Sequence, residues 1–353
     1  MSLIRILINL YRKLQYTVYG RLSYGLMKPG QQCSIDSFKV EENHGDIVHP
    51  CVRYIPDGYE GHCWWMVYTP YYGADSSLEN PILCYAESNS PKPPKEWKVY
   101  CEVKGKPTKG YNSDPVLFYD KNKLYVFWRE YGTESAEHFG HSVATFGGVV
   151  KKGRVVDEFG PIVWSNHMNV DAGVSPAFIL KDNTYLCLAM HVEFYSEWLK
   201  HQCSFLKNIL SKFLALTDLL GLGGQQRSYG IARWTSDSLV KRFNYEGTIK
   251  FLNCNKLYRP WHVDFFEHEN ILYAIIQSNQ CNADICLAKS EDGINFRIYD
   301  RPLMTNKTCN KVGIYKPTGG IVGDKFYLYY TAQDIDNRKL NKLYLTEMDW
   351  NKL

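Results

Sequence analysis

Residues 113–119, Ser-Asp-Pro-Val-Leu-Phe-Tyr, run through the turn Asp120-Lys-Asn-Lys123 into residues 124–129, Leu-Tyr-Val-Phe-Trp-Arg. A polar step onto Pro, a short apolar run, a polar turn and an aromatic run read as a β-hairpin. The same order recurs four more times. Val48-His-Pro-Cys-Val-Arg-Tyr leads to Trp64-Trp-Met-Val-Tyr-Thr, and Val174-Ser-Pro-Ala-Phe-Ile-Leu leads to Thr184-Tyr-Leu-Cys-Leu-Ala-Met. Trp261-His-Val-Asp-Phe-Phe-Glu leads to Leu272-Tyr-Ala-Ile-Ile-Gln, and Tyr315-Lys-Pro-Thr-Gly-Gly-Ile leads to Phe326-Tyr-Leu-Tyr-Tyr-Thr. Internal distances agree: 11 residues from Asp114 to Tyr125, 10 from Ser175 to Tyr185, 11 from His262 to Tyr273 and 11 from Lys316 to Tyr327. A later strand with small residues follows, most clearly at Cys286-Leu-Ala-Lys-Ser-Glu-Asp-Gly.

Repeats of about 55–65 residues, each of about four strands, match propeller blades. One such sheet cannot bury both faces alone, and packing the sheets around an axis does so. Five units fill residues 46–353. The predicted fold is all-β: a five-bladed β-propeller over residues 41–353, preceded by a basic amphipathic segment over residues 1–40. Two β-sandwiches are the competing arrangement, and the constant order of the repeat disfavours them.

Blade three is too long. Ser175 and His262 stand 87 residues apart, about thirty more than a blade needs. The excess, residues 197–226, carries Leu199, Leu206, Ile209, Leu210, Phe213 and Leu220 at helical spacing, interrupted by Lys200, Lys207 and Lys212. Near the N-terminus, Ile4, Leu7, Ile8, Tyr11, Leu14 and Val18 form a second helical stripe, with Arg5, Arg12, Lys13 and Arg21 on or near the other face. Basic amphipathic helices of this kind lie on an anionic membrane surface or pack on protein. Peripheral membrane contact is therefore one expectation, and packing on the propeller or a twin subunit is the other.

Composition narrows the class. With 45% hydrophobic residues the chain has enough apolar material for a large core, which excludes disorder. Its 41 basic and 37 acidic residues leave a charge of +4, too small an excess to predict a nucleic-acid partner. Eleven cysteines occur without a Cys-x-x-Cys, so zinc ribbons and thioredoxin-type sites have no support. They read as reduced thiols in a reducing compartment. Arg5, Asn9, Arg12 and Lys13 break up any secretion-signal core. A cytoplasmic protein, peripheral on the inner membrane face if the helices bind lipid, is the expectation.

In a propeller the innermost strands line the axis, so their first residues share one mouth. Here these are His49, Asp114, Ser175, His262 and Lys316, all polar where apolar residues would pack more simply. The second strands end in Thr69, Arg129, His191, Gln277 and Thr331. Asp264 shares a strand face with His262 by the period-two rule. Glu79-Asn-Pro, beyond the Thr69-Pro-Tyr-Tyr-Gly loop, enters from blade one, and Trp261 adjoins His262. Carboxylates and imidazoles accept from hydroxyls, Arg and Lys donate, and aromatic rings stack on C–H faces. The ring suits an oligosaccharide or polysaccharide, although any propeller channel is wet and polar.

The five-blade layout and the Ser113-Asp-Pro step resemble the glycoside hydrolase superfamily containing family 43 arabinanases and xylosidases and family 32 fructosidases. That resemblance implies acidic residues at inner-strand starts, with Asp114 matching the blade-two Asp that orients or tunes. His49 stands where the blade-one Asp is expected and Ser175 where the blade-three Glu is expected. Glycoside hydrolysis ordinarily needs two carboxylates. The run His49-Pro, Trp65-Met-Val-Tyr-Thr-Pro-Tyr, Glu79-Asn-Pro, Asn112-Ser-Asp, Ser175-Pro and Trp261-His-Val-Asp is similar to a branch associated with bacterial surface polysaccharides and phage structural proteins. The resemblance also allows a calcium ion on the axis near His49, His262 and Asp114; no other cofactor and no metal motif is indicated.

Three functions compete. A glycosidase-like protein acting on or transferring a surface glycan would use Asp114, with His262 and Asp264, or Glu79, replacing the missing acid or base. A glycan-binding module would use the same ring with His49, Ser175, Lys316, Arg129, His191, Thr69, Gln277 and Trp261 as contacts. A scaffold in polysaccharide assembly would depend on the helices instead.

Overall fold

The computed structural model describes residues 25–36, 46–71, 75–164, 174–194, 204–219, 226–253, 260–278, 284–334 and 340–353. Their strands run β1 (Gln31–Gln32), β2 (Ser34–Asp36), β3 (Ile47–Tyr59), β4 (His62–Pro70), β5 (Ile82–Tyr85), β6 (Glu96–Glu102), β7 (Tyr111–Asp120) and β8 (Lys123–Tyr131). Then come β9 (Val143–Lys151), β10 (Arg154–Trp164), β11 (Val174–Lys181), β12 (Thr184–Phe194), β13 (Gln226–Ser236), β14 (Asn244–Thr248), β15 (Lys250–Phe251) and β16 (Pro260–His268). The last are β17 (Ile271–Ser278), β18 (Asp284–Ser290), β19 (Asn295–Ile298), β20 (Met304–Thr305), β21 (Lys311–Val322), β22 (Lys325–Asp334) and β23 (Asn341–Asp349). They form five sheets, and in each the inner strand is the first of its repeat: β3, β7, β11, β16 and β21. The five-bladed all-β propeller read from the repeat is the fold. Of the two expected helices, α1 (Ser204–Leu219) forms within the insertion, while residues 1–24 lie outside the described residues.

Ring closure comes from the front of the chain. β1 pairs antiparallel with β23 and completes blade five, and β2 pairs parallel with β6 of blade one. Strand pairing thus draws residues 31–36, read from sequence as part of the N-terminal segment, into the two blades at the seam. Asp46 reinforces the seam by accepting from the Asn341 backbone N–H (2.9 Å) and side chain (2.8 Å).

Cores lie between blades rather than within them. Trp65, Phe127 and Phe178 belong to one cluster joining blades one to three. Leu188 and Val263 join blades three and four, and Ile275 and Phe326 join four and five. Trp64, Tyr327 and Tyr329 close five onto one. The high aromatic content is absorbed here: a wedge between two twisted sheets takes wide, flat side chains. Eight cysteines are buried with free thiols, in keeping with their place in apolar strands; Cys203, Cys254 and Cys281 lie outside the described residues.

The inner strands share one irregularity. His49, Asp114, Ser175 and Lys316 have φ of 53°, 46°, 50° and 38°, and each precedes a proline. At each the pairing with the second strand slips by one residue, as between Ser113 and Val116 or Val174 and Ala177. These are β-bulges, which bend a strand and re-aim a side chain. Blade four has neither the Pro nor the positive φ, and its slip falls between Pro260 and His262.

Gly30 marks how tight the closure is. A Cβ there would sit 2.8 Å from the Leu345 carbonyl and 2.9 Å from the Tyr330 hydroxyl, which accepts the Gly30 N–H. Gly30→Ala is expected to cost about 1–3 kcal/mol by overpacking, read as a lower urea midpoint. A midpoint equal to wild type would mean that β1 does not latch the ring.

Candidate active site

The bulges bring their residues to one place. A cavity of about 450 Å³ at the mouth is lined by His49, Asp114 and His262 from inner strands, Arg129 from β8, and Glu79 and Ser76 from the β4–β5 loop. Trp261, Tyr71, Tyr111 and Tyr315 supply aromatic walls. Ser175 lies directly behind, its hydroxyl donating to Asp114 Oδ1 at 2.7 Å and meeting His262 Nδ1.

Asp114 is the hub. Arg129 Nη1 donates to its Oδ2 at 2.6 Å, and His49 Nε2 stands 3.5 Å from its Oδ1. Burial alone would raise this carboxyl, but the Arg129 guanidinium and the Ser175 hydroxyl, in a pocket completed by His49 and His262, outweigh it and hold it below the usual carboxylate range. Asp114 is therefore a fixed anion. Glu79 is its opposite. It is 4% exposed, the Ser113 hydroxyl donates to its Oε2, and burial, with Asp114 nearby, pushes its carboxyl up to about 7.

The two imidazoles are neutral. Burial lowers His49 to about 4, against the pull of Asp114, and drives His262 well below the ordinary imidazole value. Their rings are 5.4 Å apart, and Tyr315 packs edge-on to His262 with its hydroxyl 3.2 Å from His49 Nε2. His262 Nε2 is buried with no hydrogen-bond partner. One donor atom from each of His49, Asp114 and His262 lies within 4.8 Å of the other two. An orphaned imidazole nitrogen beside a second neutral imidazole and a carboxylate is a donor set that fits a divalent cation.

A second polar layer lies below. Asp264, expected beside His262 in the chemistry, does not line the cavity. It takes both Arg53 guanidinium nitrogens, at 2.6 and 2.9 Å, and the Thr318 hydroxyl at 2.6 Å. Burial opposes its ionisation, and Arg53 overcomes that to keep it charged. The strand period does put Asp264 on the face of His262, one pleat further from the mouth. Lys316, expected as a ligand contact, is buried; its Nζ donates to the Val263 carbonyl at 2.7 Å.

The second-strand residues divide. Arg129 reaches the cavity, whereas Gln277 accepts from the Lys316 N–H at 2.9 Å and Thr331 donates to the Tyr315 carbonyl at 3.2 Å, both bracing bulged backbone. Thr69 is fully buried opposite Val48. His191 is one residue out of phase: Met190 occupies the position opposite Val174, so His191 faces the other way and stacks on Tyr245 of the outermost strand. Sequence reasoning passed over Arg53 and Tyr315. Arg53 lies two pleats after His49 on the same face, and Tyr315 immediately precedes Lys316, so the period and the repeat both pointed to them.

No family model matches the chain, and no curated protein sequence does. Solved structures do. An N-acetylgalactosamine deacetylase from F. plautii, in complex with blood group B trisaccharide, superimposes with a TM-score of 0.66 at 14% identity, covering 92% of this chain and 95% of that one. The fold is that of the five-bladed glycoside hydrolases. An α-L-arabinanase of Cellvibrio cellulosa matches at TM-score 0.55 and 13% identity, over 85% of this chain and 90% of the other. A family 117 glycoside hydrolase of Zobellia galactanivorans matches at 0.54 and 11%, over 93% and 91%.

Two outcomes follow. Arg53→Met strands the buried Asp264 charge and is expected to cost about 3–5 kcal/mol, measured by denaturant unfolding; a cost below about 1 kcal/mol would show the pair to be dispensable. Glu79, with a folded value of about 7 against an ordinary 4.5, contributes stability that is full below about pH 4.5 and lost as pH rises through 7. Glu79→Gln should therefore melt higher than wild type at about pH 8 and gain nothing at about pH 4. An identical difference at both pH values would contradict a raised Glu79.

Proposed function

We propose that this chain is a carbohydrate-active hydrolase that works at the mouth cavity on a glycan of a bacterial surface polysaccharide. The observation that carries this reading is a pair of buried carboxyls with opposite fates: Glu79 raised to about 7 and Asp114 held ionised, in one cavity. Pairs of titratable groups pushed apart in this way assign acid and base roles. Glu79 exchanges a proton with the substrate near neutral pH, where both its forms are populated. Asp114 stays charged, faces His49 directly and holds His262 through the Ser175 hydroxyl. Trp261 and Tyr111 offer flat faces for sugar C–H groups, and Arg129 donates to hydroxyl or carbonyl oxygens.

His49, Asp114 and His262 would hold a divalent cation. Two imidazoles suit a transition-series ion better than the calcium that the resemblance allows. Such an ion, when bound, polarises an oxygen of the substrate and lowers the pKa of water. This donor set favours a second reading, hydrolysis of an acyl group on an amino sugar. Asp114 is held as an anion by Arg129 and Ser175, which leaves Glu79 as the one carboxyl able to exchange a proton near neutral pH, one fewer than glycosidic cleavage ordinarily uses. The F. plautii structure, a deacetylase by name, has the same fold.

Incubation of the purified protein with surface-polysaccharide fragments separates these possibilities. New reducing ends mark glycosidic cleavage and released acetate marks deacylation. Glu79→Gln is expected to lower kcat by about 10²–10⁴-fold while fragments still bind. His262→Ala should abolish stoichiometric metal, read by elemental analysis. Wild-type protein that binds fragments but releases neither product would make it a binding module. Undiminished turnover by Glu79→Gln would remove Glu79 from the chemistry.

A further inference from the structure

The inner strands start at the mouth, so each connection between second and third strands returns to it. In blade three that connection carries α1. The β12–β13 hairpin continues past Met190, the residue level with the start of the inner strand, through the pairs His191–Gly230 to Phe194–Gln226. Four more residues of strand reach about 13 Å beyond the mouth. α1 is joined to the end of that hairpin.

Along α1, Phe205, Ile209 and Phe213 recur every four residues and are 74%, 52% and 60% exposed, with Leu206 alongside at 41%. Four large apolar side chains on one helix face are a poor surface for water. Lys212 is exposed between them, and the helix sequence holds Lys207 and Lys212 against one acid, Asp218. The first described residues join the propeller on the same side. The backbone N–H groups of Leu26 and Met27 donate to the carbonyls of Pro302 and Leu303, next to β20. β20 in turn pairs with Asp284 and Ile285, the mouth end of β18. Residues 1–24, which precede this point, include Arg5, Arg12, Lys13 and Arg21 and no acidic residue.

We propose that α1 docks the propeller on an anionic lipid surface with the cavity facing the bilayer, so that its glycan is membrane-anchored. This rests on the cavity being a glycan site. Apolar residues one turn apart with Lys at the polar flank are the elements of an interfacial helix. Each basic residue near an anionic leaflet adds about 1 kcal/mol. A second copy docking through this face would set Lys212 against its own equivalent. Among the described residues no helix is long and apolar enough to cross a membrane.

The test is co-sedimentation of the full chain with vesicles of phosphatidylglycerol and phosphatidylcholine, and with phosphatidylcholine alone. Wild type should bind the anionic vesicles, less so as salt rises. Phe205→Ser with Phe213→Ser, on side chains that face solvent and leave the core untouched, should weaken binding about tenfold or more. Lys212→Glu should weaken it selectively on anionic vesicles. Glu79→Gln should bind vesicles as wild type, and wild-type protein that binds vesicles but turns over no glycan would count against the cavity reading alone. No binding to either vesicle, undiminished binding by the double Phe variant, or a dimer that this variant dissociates would overturn the docking.

Discussion

Everything at the mouth depends on four residues held at positive φ in front of a proline. An L-residue with a Cβ gives up on the order of 1 kcal/mol to sit there. The interblade cores hold each strand firmly enough to sustain that strain, and in return one residue per strand leaves the pleat and aims at the axis. Without the slip, His49, Asp114 and Ser175 would alternate with their neighbours along ordinary strands. The proline keeps the strand from regularising, because it has no N–H to give to a restored ladder.

Below the mouth, charge is handled by closure. Asp264, Arg53 and Thr318 satisfy one another across blades four, one and five, and Lys316 ends on a main-chain carbonyl. This layer behaves as a floor: a hydrogen-bonded polar plug that ties three blades together below the cavity. Reactive capacity is confined to the layer above. There one carboxyl is raised, two imidazoles are neutral, and one nitrogen lacks a partner.

The blade repeat was legible because strands announce themselves through alternation and turns, and because the Xaa-Pro step recurs at constant spacing. That same step identified His49, Asp114 and Ser175. What the repeat could not convey is depth. Lys316 follows the rule and still ends buried against Val263, because a long side chain can fold down the channel. His191 failed for a different reason: counted from the bulged residue at the interval that separates Asp114 from Arg129 and Lys316 from Thr331, the equivalent position in blade three is Met190, and His191, one residue on, falls on the other face. Glu79 was found outside the repeat, but its protonation could not be, since that depends on how deeply the β4–β5 loop buries it beside Asp114.

The seam carries a consequence for biogenesis. Gly30 and the Tyr330 hydroxyl it contacts are 300 residues apart, and β1 finds its place only on β23. A ribosome adding about 5–20 residues each second makes the chain wait for its last sheet before the circle can shut. Until then Gln31 and Gln32 have no ladder to join, and the growing arc presents open edges. Late, long-range closure of this kind slows folding, and it makes the interval before release from the ribosome the time when a chaperone would matter most.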